Sequence, residues 1–409
     1  MKNHFVILLL LPFCSLVSTN IWASKARIQA LQGDHFPVPS DESDLLRFPA
    51  SNSGFPKVVQ KKTNLPLSLL KLPPGFGISI FAVVPEARSL ALGQKGEVFV
   101  GTRTSKVYRV RDPKLTGTAE SVEIIKDGLE QPNGVAYKDG DLYVAEISQI
   151  TRYKNISQKT AKNLKAEILP QKFPKDTHHG WKFIRFGPDG WLYVPVGANC
   201  NVCDPGKDYA RLYRVDVKSD KKELVAQGIR NTVGFDWDPK SQELWFTDNG
   251  RDLMGDDVPP DEINKVSKNA EHFGFPYCHG KAVQDPQFKK PCIDFTPAQA
   301  DLPAHVAALG MRFYTGKMFP REFHNQILIA EHGSWNRSIP QGYRLSQVSI
   351  KEGSALFYKP WIEGWLPGQK SGEIWGRPVD VEVYFDGSLL ISDDQAGVIY
   401  RLSYQEPKK

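Results

Sequence analysis

The residues of this 409-residue chain that could do chemistry stand just before and just after short apolar runs. The stretch from Gly228 to Asn264 shows the arrangement. Arg230 and Asn231 precede an alternating run, Val233 to Trp237. A turn follows at Asp238-Pro239-Lys240-Ser241, then a second run, Leu244 to Thr247, which leads into an acidic, Gly- and Pro-containing segment from Asp248 to Glu262. Two short strands joined by a turn read as a hairpin. An antiparallel hairpin carries Arg230-Asn231 and the Asp248–Arg251 loop to one end of a sheet. Guanidinium, amide, carboxylate and loop carbonyl groups in one place can hold an anion, and carboxylates with free carbonyls suit a hard cation such as Ca2+. Asp256-Asp257 and Asp261-Glu262 read equally well as solvated turn residues, and the EF-hand spacing is absent.

The elements that must position these groups recur along the chain. Each copy has a polar residue, an apolar strand, a turn often spelled Asp-Gly, a second strand, a polar loop and a third strand ending in Tyr-Arg or similar. Copies begin at Arg88, Pro132, His179, Arg230, Met311 and Arg377. The first four starts lie 44, 47 and 51 residues apart, close to the ~40–50 residues of a propeller blade. The last two spacings, 81 and 66, are longer and place insertions at Lys268–His305 and Lys351–Glu373. Six copies without a convincing helix predict an all-β fold, a six-bladed β-propeller with loop insertions, whose ring leaves no long open edge. The strand from Ile78 to Val84 is expected to join the last blade and close the ring. A β-sandwich has too short a repeat to compete.

Innermost strands of a propeller start at the mouth of the central channel. Arg88, Asn133, His178-His179, Arg230-Asn231, Arg312 and Arg377 therefore converge there. The ends of the second strands add Arg103, Glu146, Asn199, Asp248–Arg251, Glu331-His332 and Asp393-Asp394. A lone Arg at a channel mouth is usually a packing residue. Several, with His and amides around one axis, point to an anionic ligand and proton chemistry.

Formal net charge is +6, with a pI near 8.8. The charge is spread along the chain, and no dense Lys/Arg run suggests nucleic acid. Lys2, the apolar run Phe5 to Leu11 and small residues Ala23-Ser24 read as a secretory signal over residues 1–23. That run falls well short of the ~20 residues of a membrane span, so a periplasmic or secreted protein without stable membrane insertion is expected. Residues 24–70 are polar and Pro-dotted and read as an extended arm, leaving 71–409 for the propeller. After the signal, four cysteines remain: Cys200, Cys203, Cys278 and Cys292. An even count in an exported chain implies disulfides. A zinc site would need a second close pair and a thioredoxin-type motif would open a helix, which favours the pairs 200–203 and 278–292.

The segments HHGWKFIRFGPDGWLYVPVGANCNVC, GIRNTVGF, TDNGRD with DEIN, HFGFPYCHG, AEHGSWNR and GRPVDV resemble the soluble quinoprotein sugar dehydrogenases. These are the pyrroloquinoline quinone (PQQ) enzymes acting on glucose, aldose sugars and sorbosone. The similarity runs from about Leu72 to the C-terminus and is nearest the sorbosone-dehydrogenase-like branch. It implies PQQ above the channel and Ca2+ bridging it to the protein. By position in H-x-G-x-K/R, His178 corresponds to the catalytic base, with His179 as second choice. Arg230 and Asn231 correspond to the pair beside the quinone. The main-chain carbonyls of Gly250 and Arg251 correspond to the Ca2+ ligands, and Arg377 to the first Arg of an R-x-R that grips cofactor carboxylates. Val233 stands where glucose-type members have Gln, Val379 replaces the second Arg, and no Lys aligns in the sixth-strand loop, where Arg337 is the substitute.

The reaction so implied is oxidation of a sugar hydroxyl or hemiacetal. His178 removes the hydroxyl proton, hydride passes to PQQ, Ca2+ and Arg230 stabilise the developing charge, and an external electron acceptor reoxidises the cofactor. Two rivals stand beside it: a Ca2+-dependent lactonase-type propeller hydrolase and a propeller that only binds. Fold alone does not separate them.

Overall fold

The computed structural model of the chain describes residues 47–48, 57–58, 64–368 and 370–407. The signal expected over 1–23 and most of the arm expected over 24–70 lie outside them. Among the described residues the helical elements are single 3-10 turns, and everything else is strand and loop.

Six antiparallel sheets form the blades, and the expected six-bladed propeller is the fold. Blade 2 is the simplest, with Gly134–Lys138, Asp141–Ala145, Ile150–Tyr153 and Ala166–Ile168 in order from the inside outward. Its first hairpin turns on Asp139 and Gly140, both at positive φ, the geometry that two-residue hairpin loops require. Blade 6 takes its outermost strand, Phe76–Val83, from the N-terminal side of the chain, and this strand closes the ring. In blade 1, Lys57–Val58 pairs with the outer strand and Arg47–Phe48 pairs with Lys57–Val58 in turn.

The two segments expected as insertions prove to hold blade strands as well. Ala300–Ala304 is the outer strand of blade 4, and Ser354–Ile362 that of blade 5. Glu271–His272 adds to blade 3 in parallel. Outer strands are half solvated and carry weak apolar alternation, so the repeat pattern passes over them. What remains inserted is the short hairpin Cys278–His279/Val283–Gln284 and its surroundings. Both expected disulfides are formed, Cys200–Cys203 and Cys278–Cys292.

Two layers fill the axis. The lower is ionic. Arg185 of blade 3 reaches Glu382 of blade 6 at 2.6 Å, across the ring. Arg312 of blade 5 meets the same carboxylate at 3.0 Å and Asp380 at 3.5 Å. Asp236 of blade 4 lies 3.5 Å from Arg185, and Asp380 accepts the Leu90 N–H of blade 1 at 2.9 Å. Arg312, expected just before its strand, lies within it, in Ala308–Phe313, and belongs to this layer rather than to the mouth. The upper layer is apolar, with Phe183, Val233, Leu309 and Val379 packed in one cluster drawn from blades 3 to 6.

Inner strands come closest at the axis, and glycine makes that possible. An added Cβ at Gly234 would meet the Leu309 carbonyl oxygen of blade 5, and one at Gly134 the Lys182 carbonyl oxygen of blade 3, both well inside van der Waals contact. The obstacle is backbone in each case, so it cannot swing aside. Gly234→Ala is therefore expected to cost about 1–3 kcal/mol or more, seen as a lower midpoint in thermal unfolding. An unchanged midpoint would mean that the blades are not in fixed contact there.

Candidate functional site at the channel mouth

The hairpin expected at Gly228–Asn264 forms, with Phe235–Trp237 against Leu244–Asp248. Asp248, the last residue of the second strand, explains the conformation of the stretch before the first. Its carboxylate accepts the Arg230 N–H at 2.8 Å and the Asn231 N–H at 2.6 Å. The Arg230 guanidinium is held by the Asn201 carbonyl at 2.9 Å, the Asn201 Oδ1 at 2.9 Å, the Asn249 carbonyl at 3.2 Å and Asp252 at 3.0 Å. Asn201 lies inside the Cys200–Cys203 loop, so that disulfide braces the residue that orients Arg230.

His178 and His179 occupy a turn beside this group, with ring centroids 4.1 Å apart. His178 is exposed and His179 half-buried. The His179 Nδ1 lies 2.8 Å from the Ala198 carbonyl, which fixes Nδ1 as the protonated nitrogen. Burial, then the charge of Arg230, then His178 hold His179 well below the usual imidazole range, so it stays neutral. Lys182, three residues on, anchors the turn from below. Its buried ammonium group donates to the Gly180 carbonyl at 2.8 Å and to the Ile147 carbonyl.

Across the mouth, blades 5, 6 and 1 supply a second cluster. Arg88 pairs with Asp394 at 2.5 Å, and the other Asp394 oxygen meets His332 Nε2 at 2.8 Å. Arg377 donates to the His332 and Gly333 carbonyls, each at 3.0 Å, and lies over Tyr343. Burial, with Arg103 and Arg377 adding to it, lowers Arg88 to about 10 although Asp394 opposes the shift. Burial would raise Asp394, but His332, Arg88 and Arg377 hold it far below the carboxylate range. Arg103 spans toward the first cluster, its guanidinium 4.2 Å from the centroid of the Trp181 ring. Guanidinium groups thus outnumber their carboxylate partners around the mouth, which favours an anion with several acidic groups. Trp181 Nε1 and both side-chain polar atoms of Asn336 are buried without a hydrogen-bond partner among the described residues. Such atoms are costly unless a ligand meets them.

The acidic loop is pinned from two sides. Asp261 accepts the Gly250 N–H at 2.8 Å, and Arg251 pairs with Asp285 at 2.8 Å. Asp285 also meets His279 at 3.0 Å, and both lie within the Cys278–Cys292 loop. The carbonyls of Gly250 and Arg251 accept no hydrogen bond among the described residues. Burial pushes the neighbouring Asp248, Asp261 and Glu262 carboxyls up, against the opposing pull of backbone N–H groups and, on Asp248 and Asp261, of Arg230. Unmet carbonyls beside such acids fit a hard cation. Among the described residues no group of three or more His, Cys, Asp or Glu is placed to hold a metal, so the donor set would be chiefly main chain.

Arg337, expected to meet the cofactor, is held on the acidic loop that also carries Gly250 and Arg251. Its guanidinium is committed to the Asp256 carbonyl, Asp257 at 3.1 Å and the Ile339 carbonyl at 3.2 Å. It clamps the acidic loop to the loop after the second strand of blade 5. Arg88, Arg103 and Asp394 stood among the converging residues in sequence without being singled out. Trp181, Asn201, Asp252 and Lys182 join the group through contacts that the repeat pattern does not mark. Only the Lys of HHGWK and the Asn between the two close cysteines gave a signal for them.

Fold and site together define a six-bladed propeller with a cationic mouth. Residues 83–407 match the model of a family described as a domain of unknown function, DUF7133, and the chain belongs to that family. An uncharacterized protein of Borreliella burgdorferi is 38% identical over 358 residues, covering 83% of this chain and 92% of that protein. Solved structures of like fold include the PQQ domain of pyranose dehydrogenase from Coprinopsis cinerea, with a TM-score of 0.69, 17% identity, and 82% of this chain and 97% of that one covered. A calcium structure of a carbohydrate-active enzyme of family AA12 from Trichoderma reesei superposes with a TM-score of 0.73 at 17% identity, over 82% and 97% of the two chains. PQQ-bound aldose sugar dehydrogenase from Streptomyces coelicolor gives 0.57 at 18% identity, over 82% and 100%.

Lys182 offers a test of the anchor beneath the histidine turn. Burial lowers its amine to about 7, against ~10.4 in an unfolded chain. Between those values the unfolded chain binds more protons than the folded one, so this group makes stability rise with pH. Urea unfolding at pH 7 and pH 10 is expected to show that increment in the wild type and its absence in Lys182→Met. Equal pH dependence in both proteins would place the amine in water.

Proposed function

We propose that this protein is an exported, PQQ- and Ca2+-dependent sugar dehydrogenase, oxidising a hydroxyl or hemiacetal of an aldose or sorbosone-like sugar and passing electrons to an external acceptor. The observation that carries the reading is the histidine turn beside a mouth bordered by Arg103, Arg230 and Arg377, with Arg88 buried behind them and the buried Trp181 Nε1 unmet among the described residues. The likeness of fold to PQQ-bound sugar dehydrogenases supports it, as do the two disulfides, which suit an oxidising compartment. Among the described residues no helix is long and apolar enough to cross a membrane.

When bound, PQQ supplies the two-electron acceptor and Ca2+ a Lewis acid beside it. The chain's own residues do the rest. Arg377, with Arg88 and Arg103 near it, holds acidic groups of the cofactor, and Arg337 acts through the loop it clamps. Asn231 and Arg230 would stand beside the cofactor, and Arg230 would supply positive charge there. The carbonyls of Gly250 and Arg251 hold the metal. His178, exposed at the mouth, takes the proton of the substrate hydroxyl. His179 has its Nδ1–H fixed on the Ala198 carbonyl, stays neutral and supports the ring of its neighbour.

The reading is tested by adding PQQ and Ca2+ to apoprotein and following dye reduction with a panel of sugars. Sugar-dependent reduction is expected. Lactone hydrolysis without PQQ would identify the hydrolase instead, and tight PQQ binding with no turnover on any sugar would leave a binding propeller. Treatment with EDTA is expected to abolish both turnover and tight PQQ binding, with Ca2+ restoring them; quinone held equally tightly by metal-free protein would remove the main-chain metal site.

The division of roles has its own test. His178→Ala is expected to keep PQQ, checked by absorbance, and to lose ~10²–10⁴-fold in kcat. Arg377→Ala is expected to lose cofactor affinity first, since a charge-assisted hydrogen bond contributes roughly 1.5–3 kcal/mol. Near-wild-type turnover in His178→Ala with a dead His179→Ala would transfer the base to His179.

A further inference from the structure

Blade 3 carries a second cluster of polar groups outside the mouth. Its strands Arg211–Val215, Lys222–Gln227 and Glu271–His272 lie side by side. Their register sets Arg211 opposite Gln227, and Gln227 opposite His272. Cross-strand neighbours project from the same face of a sheet, so these three side chains form a row at the end of the blade. The loop bearing Asp204 and Lys207 borders the row, and together they line a cleft of about 250 Å3.

The row is rich in donors. His272 Nδ1 accepts the Gly274 N–H at 3.1 Å, which leaves the proton on Nε2. No acceptor for that Nε2–H lies among the described residues. The Gln227 side chain donates its amide to the Ala270 carbonyl at 3.2 Å, which turns the other end, an acceptor, free for a hydroxyl. Arg211 and Lys207 form no ion pair among the described residues, in contrast to Arg214 of the same blade, which is paired with Asp189 and Glu223. Behind the row, Lys290 lies 4.0 Å over the Tyr277 ring, and it too has no carboxylate partner among the described residues. The cations Lys290 and Arg211 act on His272, which burial first and these charges second lower to about 4. The imidazole is thus a neutral donor at working pH, and Lys207 and Arg211, with Lys290 behind them, stand against a single carboxylate in the lining, that of Asp204.

We propose that this cleft is a binding site for an acidic sugar, a saccharide unit carrying a carboxylate or phosphate. Lys207 and Arg211 take the acidic group, and His272 Nε2–H and Gln227 take ring hydroxyls. Arg presents a planar fork of donors that matches either oxyanion. The cleft's size suits one saccharide unit rather than a chain. The assignment does not rest on the redox reading, because none of its residues belongs to the mouth.

Isothermal titration of the full-length apoprotein with D-glucuronate, D-glucose 6-phosphate, D-glucose and inorganic phosphate tests it. The two acidic sugars are expected to bind at one site with Kd of about 1 mM or tighter, and whichever binds more tightly identifies the acidic group. Glucose and phosphate should each bind at least about tenfold more weakly. Lys207→Gln combined with Arg211→Gln should weaken the acidic sugars about tenfold or more, while Arg377→Ala should leave them unchanged. Lys207→Gln alone, in an exposed loop, should still weaken them if the double variant folds poorly. Glucose binding as tightly as the acidic sugars would overturn the proposal, and so would phosphate doing so, which would mark a bare anion site. Wild-type affinity in the Lys207 and Arg211 variants, or loss of affinity in Arg377→Ala, would place the ligand elsewhere.

Discussion

The Glu382 carboxylate is the point on which the ring turns. It is 5% exposed and takes a guanidinium from each of two blades, Arg185 and Arg312. Burial alone would raise its carboxyl, but Arg185 and Arg312 outweigh it and hold it lowered. Along the ring, each blade of a propeller packs on its two neighbours. Side chains that reach over the axis are therefore the direct link between opposite blades. Buried ion pairs return little net stability, yet an unpaired Glu382 would be expensive, so the set is kept whole. What it supplies is a fixed spacing among the inner strands of blades 1, 3, 4, 5 and 6. The mouth above inherits that spacing.

The same economy governs the rim. Backbone amides that begin one strand are tied to a carboxylate that ends another, as with Asp248 and the Arg230 and Asn231 N–H groups. Arg377 is oriented by loop carbonyls, those of His332 and Gly333, rather than neutralised by an acid, whereas Arg88 and Arg230 each meet one carboxylate. A carbonyl fixes direction without cancelling charge, so the mouth keeps a positive field in a rigid form. The two disulfides act one step further out. One braces Asn201 beneath Arg230, and the other closes the loop whose Asp285 grips Arg251.

Much of this was legible in the sequence, and the reasons differ by residue. The blades could be counted because a polar residue, an apolar strand and a turn such as Asp139-Gly140 recur at blade spacing. Strand ends could be placed on one face because hairpin topology dictates it, which is why Arg88, Arg230 and Arg377 were expected together. Outer strands such as Ala300–Ala304 were hidden, since half-solvated edges carry little pattern. Arg312 was misplaced by a few residues, enough to move it from the rim to the ionic layer. The clamp made by Arg337 could not be foreseen, because it joins loops 80 residues apart through a main-chain carbonyl and Asp257. Sequence pattern speaks of the period within an element and is silent on contacts between loops.

Val233 and Val379 looked in sequence like two separate departures from the glucose-type pattern, and in space they are one. Both are buried in the same apolar cluster, with Phe183 and Leu309, between the mouth and the ionic layer. Arg312 lies 5.2 Å from the centroid of the Phe183 ring on the side of the ions. A Gln at 233 or an Arg at 379 would place an unpaired polar group against that cluster, a cost of roughly 1–3 kcal/mol for a neutral group and more for a charge. Either substitution alone is therefore penalised, and the two positions must change together with their neighbours. The apolar floor also separates the ionic layer from the mouth. Charge recognition is left to groups on the rim, while the ions below are shielded from whatever binds above.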